Sequence, residues 1–136
     1  MTTQYWLVKS EPETYAWATF VKDGKTAWTG VRNYAARIHL NAMRPGDRVL
    51  YYHSGGERAV VGTAEVTKAA FPDTTADEPG WVAVELKAGA ALARPVTLAA
   101  IKAEPALAKM TLLRISRLSV QPVARAEFER IVKLGK

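Results

Sequence analysis

Apolar and polar residues alternate along several segments of the chain, as they do in half-buried β-strands. Residues 5–9 form an aromatic and β-branched run that predicts a first strand, and Arg48–His53 predicts another. Residues 58–68 and 81–87 alternate over their whole length, so they are predicted to be strands as well. The polar segment 71–80 contains two prolines and is predicted to be the loop that connects these two strands. The middle of the chain is therefore predicted to be mainly sheet.

Helical spacing and capping residues occur mainly towards the two ends of the sequence. Ser10 is placed to cap a helix that extends to about Phe20. Three further helices are predicted, at residues 34–43 behind an Asn33 cap, at Leu98–Ala103 behind Thr97, and at about residues 124–134. Residues 22–25 are predicted to be a turn, and the alanine-rich stretch 88–93 a connection. This order predicts an α+β fold, with one small curved or barrel-like sheet and peripheral helices in a single domain of residues 1–136.

Composition narrows the class of protein. Hydrophobic residues make up 49% of the 136 residues, which is enough for a packed core. The chain has no cysteine, so disulfides and cysteine-type zinc sites are excluded. Without a signal-peptide pattern or a membrane-length apolar run, we expect an intracellular monomer that is cytoplasmic if its source is bacterial. The formal net charge of +6 favours a polyanionic partner such as nucleic acid.

The sequence offers little for catalysis. Its two histidines, His39 and His53, have no cluster of further ligands at metal-binding spacing, so no metal site is predicted. The chain contains neither a phosphate-binding glycine loop nor a serine-hydrolase elbow, and its carboxylates are scattered. We therefore expect no catalytic residue and no cofactor.

Four tryptophans are the best candidates for function, and three lie in the first quarter of the chain among cationic and amide side chains. A tryptophan beside such groups suits a planar ring with polar edges, such as a nucleobase. The segment 28–33 (WTGVRN) is the strongest candidate, because Gly30 permits close approach and Arg32 and Asn33 supply planar donors. We expect Trp28→Ala to remove binding with the fold intact, whereas Trp6→Ala should unfold the protein.

Six blocks of sequence, spread in order over nearly the whole chain, resemble the signature blocks of the EVE domain family. They are residues 5–12 (YWLVKSEP), 28–34 (WTGVRNY), 36–37 (AR), 51–54 (YYHS), 71–73 (FPD) and 116–123 (SRLSVQPV). The resemblance implies a PUA-like fold, a small pseudo-barrel of mostly antiparallel strands with peripheral helices. It also implies a non-catalytic module that recognises a modified cytosine or adenine in DNA or RNA, in a single strand or as a flipped base.

Carried over onto this sequence, the resemblance implies a base pocket that several segments build together. Its residues would be Lys9, Ser10, Trp28, Gly30, Val31, Arg32, Asn33, His53, Ser54, Ser116, Arg117, Leu118 and Ser119, with Trp17 or Trp81 as a further wall. Two alternatives stay open. The pocket could take a free nucleoside or another small planar metabolite, or the protein could be an amidohydrolase like the ASCH relatives of this fold, with Lys9 or His53 as the acid–base group.

Overall fold

Six β-strands and six α-helices make up the regular structure of residues 3–136, the part of the chain that this computed structural model describes. The strands are β1 (Tyr5–Ser10), β2 (Lys25–Ala27), β3 (Arg48–His53), β4 (Ala59–Pro72), β5 (Val82–Thr97) and β6 (Val120–Val123). The α-helices are α1 (Pro12–Tyr15), α2 (Trp17–Asp23), α3 (Tyr34–Ala42), α4 (Leu98–Ala103), α5 (Thr111–Arg114) and α6 (Arg125–Leu134). A short 3₁₀ helix, Pro105–Leu107, follows α4.

The strands form one sheet in the order β2-β5-β4-β3-β1-β6. β1 runs parallel to β3, and the other neighbouring pairs are antiparallel. The predicted α+β class with mostly antiparallel strands is therefore confirmed. The parallel pair matters for the site, because it brings the ends of β1 and β3 together: Ser10 lies opposite His53.

Three elements differ from the sequence-based prediction. β2 was not predicted: it begins at the last residue of the predicted turn 22–25 and forms because residues 25–27 pair with residues 85–87 of β5. β5 continues through the alanine-rich stretch 88–93, where pairing with β4 across several register shifts offsets the low strand propensity of alanine. The single helix predicted from Ser10 to Phe20 is two helices, separated by Ala16 in extended conformation, and Ser10 is not its cap.

The sheet is packed on both faces, and each face has its own apolar cluster. Along β1, Trp6 and Val8 belong to the first cluster, which also includes residues of α2 and α3. Leu7, between them, belongs to the second cluster, which α4, α5 and α6 complete. β1 is therefore buried on both sides, which explains why residues 5–9 are an almost continuous apolar run.

Trp6 lies in the core, as predicted, and its polar atom is satisfied there. The indole Nε1 donates a hydrogen bond to the carboxylate of Asp47 at 2.9 Å, and the Asp47 side chain also accepts from the backbone N–H of Gln4 and of Arg44. Asp47 is itself buried, with 3% of its surface exposed. This carboxylate therefore fixes both the tryptophan and the turn that leads into β3.

Candidate functional site

A cavity of about 740 Å³ opens where the end of β1, the loop after β2 and the turn before β6 meet. The loop contributes Trp28, Gly30, Val31 and Arg32. β1 and the end of β3 contribute Lys9, Ser10 and Ser54, and the turn contributes Ser116, Arg117 and Ser119. The structure thus brings together residues that are up to 110 positions apart in the sequence. Glu11, Thr14, Tyr15, Thr26, Ala27 and Thr29 also line this cavity and were not among the predicted site residues.

Trp28 forms part of the cavity wall and part of the core. Only 8% of its surface is exposed, and it belongs to the first apolar cluster. Its ring packs edge-to-face against Tyr51, with centroids 5.6 Å apart, and against Tyr15, with centroids 6.2 Å apart. This burial argues against the sequence-based expectation that Trp28→Ala leaves the fold intact, and we expect the truncation to cost stability. Tyr15 lies on the same cavity, so two aromatic rings inclined by 73° border it.

The loop that carries Trp28 is held by a buried carboxylate, Asp73, whose side chain is fully buried. Its Oδ2 accepts from the backbone N–H of Gly30 and from Nη1 of Arg32, both at 2.9 Å. Its Oδ1 accepts from the backbone N–H of Thr75 at 2.8 Å and from the Thr75 hydroxyl at 2.6 Å. Gly30 has φ of +83°, a conformation that glycine adopts readily and that points its N–H at this carboxylate.

Asp73 is ionised under ordinary conditions. Burial alone would raise the pKa of its carboxyl, but hydrogen bonds from Thr75, Gly30 and Arg32 outweigh that effect and hold the pKa well below its usual range. The buried Asp73 carboxylate therefore holds one wall of the cavity as a charged group. Sequence reasoning did not assign Asp73 to the site, although the block at residues 71–73 contained the signal.

Lys9 links the first strand to the turn at residues 116–119. Its Nζ donates to the carbonyl oxygen of Ser116 at 2.6 Å, and its backbone N–H donates to the carbonyl oxygen of Ser119 at 2.9 Å. Burial, reinforced by the nearby Arg58 charge, lowers the pKa of Lys9 from its ordinary value. The ammonium group is therefore a positioned donor at the cavity wall.

Ser10 and Tyr51 fix the other side of the cavity through one carbonyl group. The Ser10 hydroxyl donates to the carbonyl oxygen of Tyr15 at 3.0 Å, and the Tyr51 hydroxyl donates to the same oxygen at 2.6 Å. Burial raises the pKa of Tyr51 to about 12, so the phenol stays protonated and able to donate. These two bonds hold Tyr15 against the cavity.

Several predicted site residues lie outside the cavity lining. Asn33 caps α3, its Oδ1 accepting from the backbone N–H of Ala36 at 2.9 Å, and Leu118 is buried in the first cluster. Trp17 packs against Tyr51 and lies so close to β4 that a Cβ at Gly62 would collide with its ring. Trp81 packs with Tyr34 on the surface beside Arg32. The remaining member of this group, His53, supports α2.

His53 accepts a hydrogen bond at Nε2 from the backbone N–H of Trp17 at 3.1 Å, so it must be neutral on that nitrogen. Burial lowers its pKa from the ordinary value of 6.5. A lowered pKa means that its contribution to stability is present above pH 6.5 and is lost as the pH falls further. We expect unfolding free energies measured between pH 7.5 and 5 to fall more for the wild type than for His53→Gln. The variant should keep the dependence that comes from His39, whose pKa burial also lowers, and lose the part that comes from His53. Equal slopes for the two proteins would contradict this role.

The described part of the chain shows neither a metal-binding cluster nor a membrane-spanning helix. Within residues 3–136, no group of three or more histidine, cysteine or acidic side chains is arranged to hold a metal ion. No helix in that range has the length and apolar character that a membrane crossing requires.

Comparison with known proteins places this architecture in a family. Residues 4–134 match the EVE domain. Thymocyte nuclear protein 1 of Mus musculus is 33% identical over 97% of this chain and 74% of its own length. The NMR structure of Rpa0253 from Rhodopseudomonas palustris is 50% identical, with a TM-score of 0.92 over 98% of this chain and 93% of that chain.

One similar structure was determined with a ligand. Human THYN1, in complex with DNA that contains 5-methylcytosine, is 29% identical to this chain and has a TM-score of 0.92 over 98% of each chain. The resemblance of the six sequence blocks, the α+β sheet and the match over residues 4–134 agree with one another. The chain belongs to the EVE domain family.

Proposed function

We propose that the cavity receives a modified nucleobase of DNA or RNA, and that the protein is a non-catalytic binding module for nucleic acid that carries such a base. The observation that carries the proposal is the close likeness to human THYN1, which was solved in complex with 5-methylcytosine-containing DNA. Trp28 and Tyr15 offer aromatic contact to a base, and Lys9 and Arg117 lie at the same cavity. Their positive charge complements the phosphates on either side of that base.

Size and energetics favour a base that has left its stack. A volume of about 740 Å³ is in the range of small-molecule sites, and it is far too small for a duplex. Extruding a base from a duplex costs a few kcal/mol, whereas stacking on one aromatic ring returns about 1–3 kcal/mol. Phosphate contacts must therefore supply much of the affinity. Single-stranded nucleic acid, in which a base is already free, should bind better than a matched duplex.

The geometry speaks against the amidohydrolase alternative. His53 does not line the cavity, and its Nε2 is occupied by the Trp17 N–H. Lys9 reaches the cavity, but its ammonium group donates to the carbonyl oxygen of Ser116. His53 is therefore not placed to exchange a proton with a bound substrate, and one of the three N–H donors of the Lys9 ammonium is already engaged. The free-metabolite alternative uses the same cavity and is separated from the proposal by experiment.

The test is equilibrium binding, by fluorescence anisotropy, to single-stranded oligonucleotides of one sequence. The set carries cytosine, 5-methylcytosine, 5-hydroxymethylcytosine or N6-methyladenine, each in DNA and in RNA. One extra buried methyl group is worth about 0.8 kcal/mol, so the preferred modified base should bind about fourfold more tightly than its parent, or better. Equal binding of all members would reduce the protein to a general nucleic-acid binder. Binding of the free nucleoside as tightly as the oligonucleotide would favour the metabolite alternative.

Salt dependence tests the phosphate contacts separately. Three contacts to a single strand would weaken binding about 20-fold between 50 and 200 mM salt. Arg117→Ala should weaken binding and flatten this dependence. The matched control is Lys102→Ala, which removes an exposed positive charge from α4, beside the second apolar cluster and outside the cavity lining. Affinity that is the same at both salt concentrations, or equal effects of the two variants, would refute the role of Arg117.

A further inference from the structure

Three planar side chains form a solvent-facing cluster beside the cavity: Tyr34, Arg37 and Trp81. The rings of Tyr34 and Trp81 are 5.1 Å apart and inclined by 33°. The Arg37 guanidinium lies 4.8 Å from the Tyr34 ring centroid and 4.9 Å from that of Trp81. Tyr34 is 65% exposed although it is a large aromatic residue. An exposed aromatic surface of this kind marks a binding site more often than an ordinary patch of protein surface.

The cluster is fixed in place before any ligand arrives. Arg37 donates from Nη1 to the carbonyl oxygen of Gly80, the residue directly before Trp81. Tyr34 is the first residue of α3, whose N-terminus Asn33 caps. Arg37 of α3 is thus bonded to the loop that carries Trp81. Because of this contact, little side-chain entropy is left to lose when a flat ligand binds. The cluster is therefore a prepared surface rather than a set of mobile side chains.

Arg32 connects the cluster to the cavity. Arg32 lines the cavity, and its guanidinium lies 5.8 Å from the Trp81 ring centroid. Successive nucleotides of one strand advance by about 3.4 Å when they are stacked and by more when they are extended. A strand whose base occupies the cavity and which continues along Arg32 would therefore reach the cluster within one or two nucleotides.

We propose that the Tyr34–Arg37–Trp81 cluster is a stacking platform for a nucleotide that flanks the modified base. The proposal rests on the proposed function of the cavity and adds a second contact to it. Every base has a flat aromatic face, so a tyrosine ring backed by a guanidinium accepts the flanking base whatever its sequence. The cavity would then select the modified base, and the platform would add affinity for a strand over a free nucleoside.

The experiment compares two probes and two substitutions at one position. The probes are the oligonucleotide that binds best in the panel described above and the matching free modified nucleoside, whose binding is measured by calorimetry. Tyr34→Ala should weaken oligonucleotide binding about 5- to 150-fold, the usual effect of losing one base–aromatic stack. It should leave nucleoside binding unchanged. Tyr34→Phe keeps the ring and should bind both probes as the wild type does, and circular dichroism checks that α3 persists in both variants.

The outcomes separate the platform from the cavity. Unchanged oligonucleotide binding by Tyr34→Ala would overturn the platform while the proposed function stands. An equal loss for both probes would also overturn it, since Tyr34 would then act through the cavity. If the wild type binds neither probe, the proposed function fails and the platform fails with it.

Discussion

Replacing Trp28 by alanine is expected to lower the free energy of unfolding by about 3–5 kcal/mol and to abolish binding. The stability loss follows from burial, because the indole is 8% exposed and packs against Tyr51 and Tyr15 inside the first apolar cluster. The binding loss follows from its place on the cavity wall. Chemical denaturation gives the first quantity. Binding at low temperature, corrected for the folded fraction, gives the second.

Phe20→Ala is the matched control for Trp28→Ala. Phe20 is fully buried in the same cluster but does not line the cavity. The Phe20→Ala variant should lose a similar amount of unfolding free energy. Its folded fraction should bind nucleic acid as the wild type does. If folded Trp28→Ala bound nucleic acid as the wild type does, Trp28 would be a core residue alone. A stability loss below about 1 kcal/mol would contradict the burial argument instead.

Replacing Asp73 by alanine is expected to lower the free energy of unfolding by about 2–3 kcal/mol and to release the loop at residues 28–32. The carboxylate accepts from Gly30, Arg32 and Thr75, and truncation would leave the Gly30 N–H without its partner. Binding should then fall because Trp28 and Arg32 lose their fixed geometry, although neither side chain has changed. Thermal melts and the oligonucleotide assay measure the two effects.

The pH dependence of stability tests whether the negative charge of Asp73 is what secures the loop. Because the folded pKa of Asp73 lies below the ordinary value of 3.8, its contribution to stability is fully present above pH 3.8 and is lost only as the pH falls through the lower folded value. Asp73→Asn has a similar shape but no titrating group, so the gap in stability between it and the wild type should close in acid. A gap that is constant down to acid pH would show that the hydrogen-bond acceptor lost in asparagine, and not the charge, secures the loop.

The parts of the fold that were predictable carry strong local signals. β3 was predicted with its observed bounds, Arg48–His53, and α3 behind its Asn33 cap was predicted to within a residue at its end. β2 and the later part of β5 could not be found in this way, because pairing partners distant in sequence stabilise them. The break at Ala16 also involves a distant residue, because the Trp17 N–H that follows it donates to His53.

In the candidate site too, some features could be predicted from the sequence and others depend on residues that are distant in it. Residue types and the family resemblance were enough to single out Lys9, Trp28 and Arg117, which the fold brings to one cavity. The burial of Trp28 depends on Tyr51, and the anchoring of its loop depends on Asp73, 43 residues beyond Gly30. Such dependence between distant positions leaves no periodic trace in a single sequence. Contacts of this kind decide which of the plausible residues are held rigid.

The central position of β1 has a consequence for the order of folding. Its partners are β3 on one side and β6, more than 110 residues later, on the other. During synthesis on a ribosome, β1 must therefore wait until β6 has been made before both of its edges are paired. Contacts of such long sequence separation slow folding, and an unpaired apolar strand is prone to aggregate in the meantime. The cavity, which needs both Lys9 and Ser119, would form only after the turn before β6 has been made.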